Sequence, residues 1–357
     1  MIEKDVDCAY GLAVDEMLAY SVAHNSSCPI LHLYNFLPSV IVGRYQNIQA
    51  AVNLEECKRQ KISYNRRHTG GGAVLMGPEQ LALGFAIPLS YPEIDGSIRK
   101  FFELMGKAVT KALANMGIVS YFYPKNDIEV NGKKIAGLAA SREEKNVFFF
   151  HMSLLVDFDI PLMLKVLNIP LEKNSDRGMS CFSQRLTTIK NELGVFISLS
   201  SVMELIEEAF SQEFGVEFVR DSFSFWEKKK IQDLIQNRYA REEWVFSVSR
   251  PSAKVCVQKK TPGGLLQIYL SLSKGVIESI LITGDFFSTT KNVSRIEQAL
   301  KWTPANKKAV EKVLSKVMRD DESIYGVTSS VLTEIIMEGI QKCLSGRRRV
   351  QNTCGLA

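Results

Sequence analysis

The sequence predicts an α+β protein of two domains: a large one with a mixed β-sheet and packed helices, and a small α+β domain at the C-terminal end. Three observations lead to this prediction. The length of 357 residues exceeds that of most single domains. Helical and β-rich segments are mixed along the chain without the regular alternation of a doubly wound fold. Charged residues are concentrated in 220–243, which we interpret as the surface joining a domain of residues 1–243 to a domain of 244–345, followed by a tail of 346–357.

The periodicity of apolar residues places the elements of the large domain. Helices are predicted where apolar residues recur with helical spacing, near 10–23, 53–60, 97–116, 160–168 and 201–214. Strands are predicted in short β-rich runs, at 30–34, 39–43, 63–64, 81–88 and 148–156. A hairpin is predicted at 127–137, because Asn131 and Gly132 stand between two alternating runs and both tolerate the positive φ angles of a type I′ turn.

The small domain is predicted to begin with antiparallel strands and to end with helices. Its β-rich runs cover 253–258, 265–272 and 276–283. Helical spacing follows near 293–301, 305–318 and 327–345. A segment of this length is large enough for a core of its own.

Composition excludes several classes of protein. With 46% hydrophobic and 23% charged residues the chain is not disordered, and no apolar run approaches the ~18–20 residues of a membrane helix, so no membrane partner is expected. The N-terminus lacks the pattern of a secretory signal, which predicts a cytoplasmic protein. The net charge is +5, but the lysines and arginines are interleaved with acidic residues along the chain, which argues against a nucleic-acid partner. Cysteines and histidines form no spaced ligand pair, so a structural metal is not expected.

The most distinctive local motif is Arg66–Val74, which reads Arg-Arg-His-Thr-Gly-Gly-Gly-Ala-Val. Three successive glycines after a strand leave backbone N–H groups uncovered, so that an anion or a planar ring can approach the main chain. Arg66 and Arg67 add positive charge with a geometry suited to carboxylate or phosphate. The spacing fits neither a P-loop nor a dinucleotide fingerprint. Taken alone, the motif indicates either an anion site or a glycine turn beside surface arginines.

The hairpin at 127–137 is the second candidate. Lys133 and Lys134 follow its turn, and strand alternation sends their side chains to opposite faces. A lysine beside a phosphate stabilises the charge that builds up during displacement at phosphorus. Asp127 opens the hairpin and could hold a Mg²⁺ ion that bridges phosphate oxygens. The alternative is that these lysines are solvated turn residues.

Four motifs in this order and spacing resemble the lipoate–protein ligase family. They are Val40–Asn47, Arg66–Val74, Asn126-Asp127 with Lys134–Gly137, and Phe150–Leu155. The resemblance covers nearly the whole chain, including the accessory domain of bacterial two-domain members, and implies the biotin/lipoate ligase-like fold. It also implies that lipoate and MgATP give lipoyl-AMP and pyrophosphate. The lipoyl group then passes to a lysine of an acceptor domain, in E2 subunits of 2-oxoacid dehydrogenases or in the glycine-cleavage H protein.

The resemblance implies a role for each matching residue. Lys134 is the expected catalytic residue, in contact with the phosphate and the lipoyl carbonyl, and Asp127 is expected to serve the metal. With Lys134, the expected nucleotide contacts are Arg67, Gly71, Gly72, Ala73, Val74 and Leu75. The expected lipoate pocket consists of Tyr34, Arg66, Gly70 and His151. The chemistry agrees with these roles, because a carboxylate placed beside a negative α-phosphate requires cationic groups around it.

Departures from the family pattern leave other functions open. Leu75-Met76-Gly77 replaces an aromatic-His-Asp continuation, Met152-Ser153 follows His151 where Gly-Thr is common, and Arg142 is shifted by one position. One alternative is an ATP-independent octanoyl or lipoyl transferase of the same fold, which needs a nucleophilic thiol such as Cys181. Others are a non-catalytic protein that binds lipoate or a lipoyl domain, and a biotin–protein ligase, whose usual glycine-rich signature differs from the one here.

Overall fold

The computed structural model describes most of the chain, in the ranges 1–24, 28–92, 94, 97–123, 126–143, 147–168, 185–247, 255–288, 290–318 and 323–351. The chain divides into two compact units. The first comprises Met1–Val42, Gln49–His68 and Ala73–Val245, and the second comprises Gly43–Ile48, Thr69–Gly72 and Phe246–Ala357. The second unit therefore includes two short segments from the region that the sequence predicts to be the first domain, and one of them holds the glycine triplet.

The predicted elements up to Val245 are present in the predicted order with shifts of a few residues at their ends, and shorter unpredicted elements such as Val74–Met76 and Tyr121–Tyr123 lie between them. The strands are β1 (Ile30–Tyr34), β2 (Ser39–Val42), β3 (Ser63–Arg66), β4 (Val74–Met76), β5 (Gln80–Pro88), β6 (Tyr121–Tyr123), β7 (Asp127–Val130), β8 (Lys133–Glu143) and β9 (Val147–Leu155). The helices are α1 (Cys8–His24), α2 (Ile48–Ala51), α3 (Leu54–Arg59), α4 (Ile98–Asn115), α5 (Ile160–Val166), α6 (Ile189–Leu193), α7 (Leu199–Phe214), α8 (Phe225–Leu234) and α9 (Glu242–Val245).

An antiparallel six-stranded sheet in the order β1-β5-β9-β8-β7-β6 forms the centre of the first unit. Successive residues of a strand point to opposite faces. One face carries large apolar side chains such as Phe85, Phe148 and Phe150, which pack in the main core with α4 and α7. The opposite face is built largely of small residues such as Ala82 and Gly84, and α1 packs against it.

The hairpin between β7 and β8 confirms the turn expected from its sequence. Asn131 has φ +51° and Gly132 has φ +75°, as a type I′ turn requires at both central positions. The pairing continues directly from the turn, with Val130 opposite Lys133. The register then shifts between Ile128 and Glu129, which places Asp127 opposite Gly137.

The small sheet β3-β2-β4 connects the motifs of the N-terminal half. β2 pairs with β3 in parallel and with β4 in antiparallel orientation. The backbone N–H of Arg67 donates to the Val42 carbonyl at 3.0 Å and so extends the pairing of β3 by one residue. β3 ends at Arg66 and β4 begins at Val74, so the glycine triplet lies in the segment between these two strands.

The sequence predicts that the charged stretch 220–243 is the surface joining two domains; this stays a prediction, and the structure gives the secondary structure of the stretch. Most of it is helical, in α8, a π-helical segment Ile235–Tyr239 and the first part of α9. Helix α8 begins with a capping box between Ser224 and Glu227, and its Ile231 and Leu234 are buried in the cluster around α1. Because charged residues outnumber the few buried apolar residues of this stretch, its apolar spacing does not indicate a helix.

The second unit contains the antiparallel sheet β10 (Val255–Thr261), β11 (Gly264–Ser273) and β12 (Val276–Gly284), in that order. It also contains the helices α10 (Thr290–Leu300), α11 (Lys307–Val317) and α12 (Ser329–Gln351). Apolar residues of the sheet and helices form one core, which also includes Tyr45 from the short N-terminal segment. Among the described residues, no helix combines the length and apolar character needed to cross a membrane.

Candidate functional site

One row of cross-strand neighbours runs across the whole central sheet, and cross-strand partners in such a row share a face of the sheet. From the edge strand β6 to the opposite edge β1 the row is Tyr123, Asp127, Gly137, Ser153, Ala82 and Tyr34. His151 lies two residues before Ser153 on β9 and therefore on the same face. Three sequence-predicted site residues, Asp127, His151 and Tyr34, are thus brought onto one surface of the first unit.

Lys134 joins this face through its side chain. Its Nζ lies 2.6 Å from Asp127 Oδ1. The ammonium lies over Gly137, where an added Cβ would be only 2.9 Å from Nζ and 3.1 Å from Cε. The main chain of Lys134 is also held, because its N–H donates to the Arg185 carbonyl at 2.8 Å and its carbonyl accepts from Thr187 N–H at 2.9 Å. Gly137 therefore leaves the space in which the lysine side chain lies.

Asp15, on α1, is a buried acid that the sequence analysis did not single out. It is 2% exposed, and Tyr34 Oη donates to its Oδ2 at 3.0 Å. Its Oδ1 has no hydrogen-bond partner among the described residues and lies against Gly84, where an added Cβ would be 2.5 Å away. Burial raises the pKa of Asp15 to about 8, so at neutral pH the carboxyl is protonated and can donate one hydrogen bond. In the sequence, Asp15 could have been noticed as an acidic residue within the apolar stretch that forms α1.

The raised pKa of Asp15 predicts a measurable pH dependence of stability. Between the unfolded value of ~3.9 and about 8, the folded protein holds a proton that the unfolded chain has released, so the free energy of unfolding falls as pH rises. Asp15→Asn, which cannot ionise, should remove this part of the dependence. Urea unfolding at pH 5 and pH 8 should show the variant gaining stability relative to the wild type at the higher pH. An equal difference at both values would contradict the assignment.

Arg67 is the cationic side chain near His151 in this region. Burial, followed by the electrostatic effects of Arg67 and then of His68, holds the pKa of His151 well below its usual value, so the imidazole is neutral. Burial also lowers the pKa of Arg67 to about 10, which leaves the guanidinium charged at neutral pH. Its Nη1 donates to the Ile41 carbonyl at 3.3 Å. Arg67 of the arginine motif therefore lies close enough to His151 on β9 to lower its pKa.

His68 is a second residue that the sequence analysis did not single out. Its ring lies 5.3 Å from the ring of Phe149, which is itself 5.6 Å from the ring of His151. Tyr239 Oη donates to Glu16 Oε2 at 2.8 Å and lies 3.4 Å from His68 Nδ1. Tyr239 belongs to the π-helical segment, a type of irregularity that is frequent at functional sites.

The Arg66 side chain makes structural hydrogen bonds within the first unit. Its side chain is completely buried, and Nε and Nη2 donate to the carbonyls of Trp244 and Val245 at 2.8–3.1 Å. Trp244 Nε1 donates in return to the Arg66 carbonyl at 2.8 Å. These contacts attach α9 to β3. The guanidinium is thus used in these contacts, and the predicted contact of Arg66 with lipoate stays a prediction.

The three glycines of the motif have different surroundings in the second unit. An added Cβ at Gly70 would lie 2.2 Å from the Phe286 carbonyl oxygen, whereas one at Gly72 would meet nothing closer than 3.8 Å. Gly71 has φ +95°, and its N–H donates to the same carbonyl at 3.0 Å. Within the first unit, Ala73 precedes β4, and Val74 and Leu75 pair with Ile41 and Val40 of β2. The backbone of Val74 and Leu75 is thus part of a sheet.

Asp127 alone offers too few oxygen ligands for Mg²⁺, so a magnesium site there requires further ligands from the substrate. Asp127 offers one carboxylate, about a third exposed, whose Oδ1 faces Lys134. No group of three or more potential metal ligands occurs among the residues that the structure describes. Mg²⁺ commonly uses one or two carboxylates together with phosphate oxygens and water, so a single Asp127 carboxylate fits an ion brought with a nucleotide.

Two family models match this sequence. The model of the lipoyl protein ligase A/B catalytic domain matches residues 7–211, and that of the bacterial lipoate protein ligase C-terminus matches residues 250–336. The chain belongs to the lipoyl protein ligase family. The first match contains Asp15, Lys134 and His151, so the row described above lies within the catalytic domain of this family.

Curated proteins similar to this chain include an octanoyltransferase and a ligase. An octanoyltransferase LipM from Clostridioides difficile is 27% identical over 263 residues, which cover 68% of this chain and 95% of the relative. A probable lipoate-protein ligase A from Mycoplasma pneumoniae is 23% identical over 330 residues, which cover 92% of this chain and 94% of the relative. Relatives of the ligase family thus include both ligases and transferases.

Solved structures of family members share the fold. The bipartite lipoate protein ligase from Thermoplasma acidophilum, from a study that includes its E2 lipoyl domain, has a TM-score of 0.62 at 26% identity and covers 70% of this chain and 97% of its own. LipL1 of P. falciparum, in complex with lipoate, has a TM-score of 0.74 at 18% identity and covers 95% and 98%. The predicted α+β, biotin/lipoate ligase-like fold is therefore confirmed.

Proposed function

We propose that the protein is an ATP-dependent lipoate–protein ligase. The observation that carries this proposal is the region that matches the bacterial lipoate protein ligase C-terminus, residues 250–336. The ligase relative aligns over 92% of the chain, whereas the octanoyltransferase relative aligns over 68%. The arrangement of the first unit supports the chemistry, because Lys134, Asp127 and His151 share one face of the sheet and Arg67 lies near His151.

In the first step a carboxylate oxygen of lipoate attacks the α-phosphorus of ATP, and the bond from that phosphorus to the pyrophosphate oxygen breaks. Two anions must approach each other, and fixed positive charge in a water-poor site lowers the barrier. Arg67 and Lys134 supply that charge. Mg²⁺ held by Asp127 would neutralise the phosphates when bound. We place the acyl chain along the sheet face between Tyr34 and His151, and the nucleotide beside Ala73–Leu75.

In the second step the ε-amine of an acceptor lysine attacks the acyl carbon, AMP leaves and the nitrogen loses a proton. Lys134 would stabilise the oxyanion that forms on the acyl carbonyl. The lipoyl domains of E2 subunits and the glycine-cleavage H protein are the proposed acceptors. An E2 lipoyl domain accompanies the archaeal ligase of similar fold.

The octanoyltransferase relative makes ATP-independent transfer the second candidate. A transferase of this kind needs a reactive thiolate, and low-pKa cysteines lie in electropositive, accessible surroundings. Burial raises the pKa of Cys8 to about 12 and that of Cys57 to about 11, so neither is suited to this role. Cys181, the thiol considered for this function, lies outside the described residues.

One experiment separates these functions. A purified lipoyl domain is incubated with the protein and lipoate, with and without MgATP, and in parallel with an octanoyl-carrier-protein donor in place of lipoate and ATP. Intact mass spectrometry should show a lipoyl adduct only when lipoate and MgATP are both present. Modification from the acyl-carrier donor without ATP, lost in Cys181→Ser, would establish the transferase instead. No adduct under any condition, with lipoate bound, would indicate a binding protein.

A further inference from the structure

The end of the first unit, Tyr239–Val245, is hydrogen-bonded to consecutive residues of β3. Asn65 Nδ2 donates to the Tyr239 carbonyl at 2.8 Å, and both residues are buried. Trp244 Nε1 donates to the Arg66 carbonyl at 2.8 Å, in the reciprocal arrangement with the Arg66 guanidinium that is described above. We call the segment Tyr239–Val245 the brace, because it holds this end of the strand through both main-chain and side-chain bonds.

The brace also reaches His68 and is itself anchored to α1. Tyr239 Oη lies 3.4 Å from His68 Nδ1 and donates to Glu16 Oε2 at 2.8 Å. Arg238, the residue before the brace, forms an ion pair with Glu16, and its guanidinium lies 4.9 Å from the centre of the Trp244 ring. The Glu16 carboxylate therefore fixes the Tyr239 hydroxyl at the point where it meets the histidine.

Arg67 lies between the residues that the brace holds. Its N–H donates to the Val42 carbonyl at 3.0 Å and its Nη1 to the Ile41 carbonyl at 3.3 Å, so β2 fixes it as well. Arg67 is only 6% exposed, and its charge is close enough to His151 to affect that imidazole. A buried side chain in close-packed surroundings has few alternative positions. The backbone on either side of Arg67 therefore sets the direction of its guanidinium.

We infer that the brace is a positioning element of the proposed reaction: by holding the residues on both sides of Arg67, it keeps the guanidinium in the orientation that adenylation requires. This inference rests on the proposed function, in which Arg67 supplies positive charge while one anion attacks another. Electrostatic catalysis depends on groups that are oriented before the reaction, and a displacement of about 1 Å can cost about 10²-fold in rate. Tyr239 and Trp244 are thus positioning residues that act through Arg67.

Two conservative variants of the full chain remove single hydrogen bonds of the brace. Tyr239→Phe removes the hydroxyl that is bonded to Glu16, and Trp244→Phe removes the indole N–H that is bonded to the main chain of β3. Each variant keeps an aromatic ring. Tyr10→Phe is the matched control, because Tyr10 Oη also donates to a glutamate, Glu3, at 2.8 Å. Urea unfolding identifies any variant that is not folded under the assay conditions.

The rate of pyrophosphate release in a single turnover and KM for lipoate are measured for each variant. Tyr239→Phe and Trp244→Phe should lower the rate about tenfold and leave KM for lipoate within about twofold, because a misplaced charge acts on the transition state. Tyr10→Phe should stay within about twofold in both measurements. Rates within twofold of the wild type in both brace variants, or an equal fall in Tyr10→Phe, would overturn the positioning role.

A double-mutant cycle shows whether the brace acts through Arg67. Effects of residues that act through one another are not additive, whereas independent effects lower the rate by the same factor in any background. In an Arg67→Gln background, which lacks the guanidinium, Trp244→Phe should change the rate by less than about twofold. A further tenfold loss in this background would show that the effect of Trp244 is independent of Arg67, and the inference would be wrong.

Amide hydrogen exchange, measured without substrates, separates this inference from the proposed function. The Arg67 N–H should exchange at least about tenfold faster in Tyr239→Phe and Trp244→Phe than in the wild type, and at an unchanged rate in Tyr10→Phe. Unchanged exchange in both brace variants would contradict the inference, whatever the activity. A wild type that releases no pyrophosphate from lipoate and MgATP would contradict the proposed function and the positioning role with it. An active wild type with unaffected brace variants contradicts the positioning role alone.

Discussion

Replacing Lys134 by alanine should lower the rate of lipoyl-adenylate formation by about 10²–10³-fold while leaving the fold intact. The loss follows from removing the ammonium that the proposed function places at the reacting phosphate, since a single electrostatic donor in such a site contributes about that factor. Stability should change little, because the ion pair with Asp127 is a third exposed and such pairs contribute at most about 1 kcal/mol. Single-turnover release of pyrophosphate and urea unfolding measure the two quantities.

Two further variants make this result specific. Lys133→Ala removes the preceding lysine, whose side chain points away from Lys134 on the strand, and should keep the rate within about twofold. Gly137→Ala keeps Lys134 but places a Cβ 2.9 Å from its Nζ, so the rate should fall although the amine is present. Adenylation at the wild-type rate by Lys134→Ala would show that the sheet face is not the reaction centre.

Replacing Arg66 by alanine should destabilise the first unit by roughly 2–4 kcal/mol. The change leaves the carbonyls of half-buried Trp244 and buried Val245 without the guanidinium and opens a cavity between β3 and α9. The midpoint of urea unfolding should fall accordingly. Partial rescue by Arg66→Lys is not expected, because an ammonium cannot reproduce the forked geometry.

An arginine on the surface provides the control for Arg66. Arg59 makes two hydrogen bonds to Glu56 within α3, but its side chain is 67% exposed, so Arg59→Ala should leave the midpoint almost unchanged. In the folded fraction of Arg66→Ala, KM for lipoate should stay near the wild-type value. A large rise in that KM without loss of stability would restore Arg66 to the lipoate pocket.

Features set by nearby residues could be predicted from the sequence. The β7–β8 hairpin follows from Asn131-Gly132, and α4 and the buried strand β5 follow from their apolar patterns. The placing of Asp127, His151 and Tyr34 on one face follows from strand pairing, which no local pattern specifies. It could be expected only through resemblance to a family.

The residues missed by sequence reasoning depend on contacts between distant segments. Asp15 is protonated because α1 buries it against Gly84, and His68 meets Tyr239 from 171 residues further along the chain. Likewise, the sequence predicts that Gly70 lines the lipoate pocket, but it gives no sign that the Phe286 carbonyl also requires the lack of a side chain there. A glycine in a sequence does not reveal which neighbour needs the space.

The central claim is that the enzyme activates lipoate as an adenylate, with Lys134 facing the reacting phosphate. Exchange of labelled pyrophosphate into ATP, measured without any acceptor domain, tests it most directly. The account predicts exchange that requires both lipoate and Mg²⁺, is preserved in Lys133→Ala and is reduced at least about 10²-fold in Lys134→Ala. Lipoylation of an acceptor without any such exchange, or exchange that persists in Lys134→Ala, would contradict it.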